Sequence, residues 1–63
     1  MNEIYVVAQL LKEIGYHQMA KTLLKTQDYS LLQNYVRLLL IRTDASKRPE
    51  LEEVLWANGL LYG

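Results

Sequence analysis

His17 is the only histidine in this sequence, and a lone imidazole could act as a general base or as a metal ligand. Catalysis by an imidazole needs an orienting group and a nucleophile within hydrogen-bond reach. The adjacent Tyr16 and Gln18 supply neither. Since His17 follows Gly15, a residue type that commonly ends helices, we expect it to cover a helix end. The sequence therefore predicts no catalytic residue and no enzyme.

Three acidic side chains, Glu50, Glu52 and Glu53, could suggest a divalent cation site. A calcium-binding loop, however, alternates oxygen ligands along the chain and includes a glycine at its sharp turn. The three glutamates instead follow Pro49 closely, and acidic residues in the first turn of a helix favour its positive end. We expect neither a metal nor another cofactor.

Basic residues gather at Arg42, Lys47 and Arg48, a pattern compatible with a helix-turn-helix module. The chain nevertheless has a formal net charge of zero and a pI of about 6.5, whereas nucleic-acid-binding domains usually carry a basic excess. No helix combines several polar and basic side chains on one outer face. These basic residues therefore belong either to a solvated loop or, as the alternative function of the protein, to a small nucleic-acid-binding regulator.

The most promising residues for binding lie near the carboxyl end: Trp56, Leu60, Leu61 and Tyr62. Tryptophan and tyrosine are enriched at binding hot spots because they combine an apolar body with a hydrogen-bonding group. These four residues form either a partner-binding patch or the far end of the domain's own core.

Short helices must position these side chains, and the spacing of apolar residues predicts four of them. The predicted ranges are about 3–14, 17–26, 30–42 and 49–58, which together make one helical domain over residues 1–63. Asn2 suits the first N-cap, and Gly15 suits the end of the first helix. Ser30 and Gln33 fit a capping box for the third helix, with Asp28 as the rival cap. The predicted fold class is all-α, with three to four short helices in a compact domain.

The third predicted helix is apolar almost all round, which three small neighbours cannot easily cover. The chain has 63 residues, 51% of them hydrophobic, and no cysteine to form a disulfide. A symmetric second copy would cover the excess apolar surface. We expect a homodimer whose interface contains Leu32, Tyr35, Val36, Leu39 and Arg42. The alternative is a compact monomer with a partly apolar surface.

Targeting signals are not evident in the sequence. The opening residues Met1–Tyr5 lack the basic stretch of a secretory signal, and no small-residue cleavage site follows. The longest apolar run, Leu38–Ile41, is far shorter than the ~20 residues that cross a bilayer. We expect a cytoplasmic protein without a membrane partner.

Residues 10–24, LLKEIGYHQMAKTLL, resemble the LisH dimerisation motif, which has a helix, a Gly-Tyr turn and then an alanine and leucines on a second helix. The resemblance covers about a quarter of the chain. It implies a helical hairpin and agrees with dimerisation.

A second resemblance covers the whole chain. Its length, the opening Met-Asn-Glu-Ile-Tyr and the closing Leu-Tyr-Gly resemble a small early protein of lambdoid bacteriophages, encoded in the exo–xis region. This resemblance implies a non-enzymatic protein of the bacterial cytoplasm that binds a host or phage regulatory protein. It also implies a role in biasing development toward lysis or in disturbing the host cell cycle. It assigns no functional residues.

Overall fold

Four α-helices make up the computed structural model, which describes residues 2–61. They are α1 (Glu3–Glu13), α2 (His17–Thr26), α3 (Tyr29–Arg42) and α4 (Arg48–Ala57). Within residues 2–61 there is no strand, so the all-α class is confirmed. None of the helices in this part of the chain is long and apolar enough to cross a lipid bilayer.

Helix α1 has a side-chain cap at its start and a glycine at its end. The Oδ1 atom of Asn2 accepts a hydrogen bond of 2.9 Å from the backbone N–H of Ile4. At the other end Gly15 has a φ of 90°, a left-handed conformation that costs glycine little. Its N–H donates to the Lys12 carbonyl, and the Tyr16 N–H donates to the Leu11 carbonyl at 2.8 Å. This pair of bonds is a Schellman motif, which reverses the chain and lays α2 against α1.

Helix α3 begins at Tyr29, one residue before the predicted start at residue 30, and its N-cap lies two residues before the Ser30 of the capping box. The Oδ1 atom of Asp28 accepts a hydrogen bond of 2.8 Å from the Ser30 N–H, while the Asp28 backbone is extended. Asp28 is therefore the N-cap, and Ser30 lies inside the first turn. Aspartate is as effective as serine at this position, so the earlier of the two candidate caps sets the boundary.

Helix α4 begins at Arg48, which makes Pro49 its second residue rather than its first. A second Schellman motif ends the helix around Gly59, whose φ is 69°. The Gly59 N–H donates to the Trp56 carbonyl, and the Leu60 N–H donates to the Leu55 carbonyl at 2.8 Å. This motif turns the following residues back toward the core.

A single apolar core joins the four helices. Helix α1 packs against α2 and α3, and α4 packs against α3. The fully or nearly fully buried side chains are Ile4, Val7, Ala8, Leu11, Ala20, Leu23, Leu32, Val36, Leu39, Leu51 and Leu55. Among residues 2–61 no polar or charged side chain is buried, so apolar burial dominates the stability of the fold.

Candidate functional site

The large apolar side chains that are exposed on α3 and α4 are Tyr29, Ile41, Val54 and Trp56. Ile41 is 71% exposed near the end of α3, and Trp56 is 58% exposed in the last turn of α4. Each follows a core position closely: Ile41 lies two residues after Leu39, and Trp56 lies one residue after Leu55. At about 100° per residue these steps rotate both side chains away from the core.

The predicted dimer face is divided between the core and the surface. Leu32, Val36 and Leu39 are buried among the other core side chains of the same chain, and Tyr35 is partly buried against them. Only Arg42 is exposed. The exposed surface of α3 therefore differs from the predicted dimer face, because α1 and α4 cover the side of the helix that these leucine and valine side chains occupy.

The predicted partner patch is also divided. Trp56 lies on the surface, whereas Leu60 and Leu61 are partly buried and pack against the core. Tyr62 lies outside the described residues. Of the two readings of this segment, Trp56 fits a binding surface and the two leucines fit the margin of the core.

A cleft of about 400 Å³ opens beside the segment that follows α4. Its apolar walls include Leu40 of α3 together with Leu60 and Leu61. Glu3 and Arg37, both charged residue types, also line the cleft. The remaining lining residues are Tyr29, Leu32, Gln33, Val36 and Gly59. Such a cleft can bind an apolar side chain of a partner, and the charged side chains at its walls can orient the polar groups next to it.

A second, smaller cleft of about 260 Å³ lies where α1, α3 and α4 meet. Leu10 of α1 and Ile14, the residue that follows α1, line it together with Val54 of α4. Glu13, Lys47 and Glu50 add charged groups of both signs. This cleft shows that α4 does not close completely onto α1.

The side chains considered for catalysis and metal binding lie apart on the surface. His17 is the exposed first residue of α2, and the three glutamates of α4 are exposed near the start of that helix. Among residues 2–61 no group of three or more histidine, aspartate or glutamate side chains is arranged to hold a metal ion.

The basic residues Arg42, Lys47 and Arg48 are exposed on both sides of the connection between α3 and α4. The same connection contains Asp44, whose Oδ2 atom accepts a hydrogen bond of 2.8 Å from the Ser46 hydroxyl. A carboxylate within the connection reduces the local excess of positive charge that phosphate groups require.

Sequence reasoning missed three residues at these surfaces: Ile41, Leu40 and Arg37. The signal was present in the helical phase of α3, since Leu32, Val36 and Leu39 share one stripe that leaves Ile41 on the opposite side. When a helix is apolar on nearly all sides, the sequence does not indicate which side is buried, because every side has the composition of a buried one.

Comparison with protein-family models, with curated proteins and with solved structures returned no match.

Proposed function

We propose that this protein is a non-enzymatic accessory protein that acts by binding a host or phage regulatory protein in the bacterial cytoplasm. Its whole-length resemblance to small early proteins of lambdoid phages supports this setting. In that setting, binding would bias phage development toward lysis or disturb the host cell cycle. The protein would act as a homodimer, which the LisH-like segment at residues 10–24 also favours.

The observation that carries the proposal is the cleft beside Leu60 and Leu61. A volume of about 400 Å³ accommodates one or two large apolar side chains of a partner, and half of the lining residues are leucine or valine. Arg37 and Glu3 at the cleft can pair with charged groups that flank such side chains. Binding energy would come from apolar burial, and selectivity from the two charges.

Affinity capture from a bacterial lysate tests this proposal. The bait is the wild-type chain, a cleft variant with Leu61→Asp, or a control with Lys21→Ala on the exposed side of α2, away from the cleft. Circular dichroism first establishes that all three are helical. We expect one protein to be retained by wild type and by Lys21→Ala and lost by Leu61→Asp. Equal retention by all three baits would show that the cleft does not bind the partner.

Nucleic-acid binding through Arg42, Lys47 and Arg48 is the competing function, and a mobility shift on random duplex DNA at low salt separates the two. Binding through these cations would be lost on Arg42→Ala with Arg48→Ala and would weaken steeply as salt rises. No shift at micromolar protein is the result that the protein-binding proposal requires.

A further inference from the structure

Trp56 uses less than half of its side-chain surface within its own chain. It is the only tryptophan in the sequence, and it is 58% exposed. Large aromatic side chains dominate the energetics of protein interfaces, because each buries roughly 150–250 Å² when it is packed. An indole that is this exposed is therefore available for contact with a second molecule.

The cleft of about 400 Å³ lies next to this tryptophan on the surface of the same chain. Gly59 lines the cleft, and its N–H donates a hydrogen bond of 3.0 Å to the Trp56 carbonyl. Leu60 and Leu61 continue from Gly59 along the cleft wall, whereas Trp56 itself does not line the cleft. One patch of the molecule therefore contains both a protruding aromatic side chain and a cleft.

The residues that line the cleft suit an indole. Leu40, Leu60 and Leu61 provide apolar walls for the ring system, and the volume is large enough for one such side chain. The Glu3 carboxylate can accept a hydrogen bond from the indole N–H, a donor that needs a partner once it is buried. The Arg37 guanidinium can lie over the face of the ring in a cation–π contact. The ring surface, the N–H group and the π face of an indole each have a counterpart in the cleft.

We infer that Trp56 of each copy occupies this cleft in the other copy of a homodimer. The inference rests on the proposed homodimer and specifies its central contact. In a two-fold interface the same patch of both copies meets itself, so a protruding side chain and a cleft within one patch form two equivalent contacts. Trp56 of one copy then lies near Glu3 and Arg37 of the second copy.

This contact also regulates the site assigned to the regulatory partner. The indole of the second copy and an apolar side chain of the partner would compete for the same walls. A partner must therefore displace Trp56 from one cleft, and the equivalent contact at the other cleft can remain. Self-association thus limits access to the cleft until a partner binds more tightly than the indole.

Tryptophan fluorescence and light scattering on the purified protein test the inference, because all tryptophan emission comes from Trp56. As concentration rises, we expect the wild-type mass to increase from 7.4 kDa to twice that value and the emission to shift to shorter wavelength. Trp56→Ala and Leu61→Asp should each raise the dimer dissociation constant at least tenfold. Lys21→Ala, on the exposed side of α2, should leave the mass and the emission unchanged.

Mixing two variants shows whether the indole enters the cleft of another copy. Leu61→Asp supplies Trp56 without an intact cleft, and Trp56→Ala supplies an intact cleft without a tryptophan. Adding Trp56→Ala to Leu61→Asp should shift the emission of Leu61→Asp to shorter wavelength, whereas adding the double variant with both substitutions should not. Circular dichroism checks that each variant is helical. Arg37→Glu, a change at an exposed position of the cleft, replaces Leu61→Asp in the mixture if that variant loses its helices.

The outcomes separate this inference from the proposal on which it rests. A mass of 7.4 kDa for wild type at every concentration would remove the homodimer, and the inference with it, without bearing on capture of a regulatory partner. A wild-type dimer whose tryptophan emission stays that of the monomer would keep the homodimer and overturn only the insertion of Trp56. Unchanged emission on mixing the two folded variants would also overturn the insertion.

Discussion

Two adjacent residues of α4 have opposite environments. The Leu55 side chain is completely buried, whereas Trp56 is more than half exposed. A rotation of about 100° separates them on the helix, so one residue contributes to stability and the next is available for binding. In a chain this small, each buried leucine contributes a large share of the free energy of unfolding, since such domains rarely reach more than about 3–5 kcal/mol in total.

At the residue scale we predict that Leu55→Ala lowers the free energy of unfolding by about 2–5 kcal/mol, because it leaves a cavity in the core. This loss is comparable to the whole stability of a small domain, so much of the variant should be unfolded at 37 °C. Urea denaturation followed by circular dichroism measures the effect.

Ile41→Ala is the matched control for this prediction because it removes an aliphatic side chain that is largely exposed. Measured on dilute protein, it should change the free energy of unfolding by no more than about 0.5 kcal/mol. Equal losses in the two variants would contradict the burial assigned to these residues.

At the scale of the helices, local hydrogen bonds at the ends determine where each element begins and ends. Gly15 and Gly59 both occupy left-handed positions in Schellman motifs, and each motif places an apolar residue, Tyr16 or Leu60, back against the core. The chain direction after α1 and after α4 therefore depends on one residue in each case.

We predict that Gly15→Ala lowers the free energy of unfolding by about 1–2 kcal/mol, because an L-residue at a φ of 90° is strained. A methyl group at this position would meet no atom within 4 Å, so crowding adds nothing to the cost. Chemical synthesis with D-alanine at position 15 provides the control, since a D-residue adopts positive φ without strain. Thermal unfolding that ranks D-alanine with or above glycine and L-alanine below both would agree with this explanation.

A second prediction at this scale concerns the start of α3. Asp28→Ala removes the acceptor of the Ser30 N–H and should destabilise the fold by about 1 kcal/mol. Asp28→Asn keeps an oxygen acceptor and should lose much less. Ser30→Ala should have little effect, and a larger loss from Ser30→Ala than from Asp28→Ala in chemical denaturation would mean that Ser30 is the cap after all.

At the scale of the whole molecule, eleven apolar side chains are buried among residues 2–61, while Ile41 and Trp56 remain exposed. Because the sequence has no cysteine, apolar burial is the main source of stability, and the proposed homodimer would extend that burial. Stability and self-association should then be coupled.

We predict that the Tm rises with protein concentration. A tenfold increase stabilises a dimer by about 1.4 kcal/mol, or half of that per chain, which corresponds to a shift of about 3–5 °C for a domain of this size. Thermal scans from micromolar to millimolar protein measure the shift. A Tm that is constant across this range would show that folding does not depend on a second copy.

Much of the fold could be predicted from the sequence because it depends on local signals. Apolar spacing, Asn2, Gly15 and Gly59 act within a few residues, and they place four helices with ends that differ from the predicted ones by a single residue at most. Both Asp28 and Ser30 could cap α3 by sequence, and the hydrogen bond from the Ser30 N–H to Asp28 in the structure identifies Asp28 as the cap.

The helical class, the helix ends to within one residue and an excess of apolar residues on α3 follow from the sequence alone. Which side of α3 is free depends on the packing of the other helices: Leu32, Val36 and Leu39 face the core, and Ile41 faces outward. The same holds for Trp56, since its exposure depends on how α4 lies on α3. The physical reason is that helix formation is governed by contacts three or four residues apart, whereas burial depends on elements that are distant in the chain.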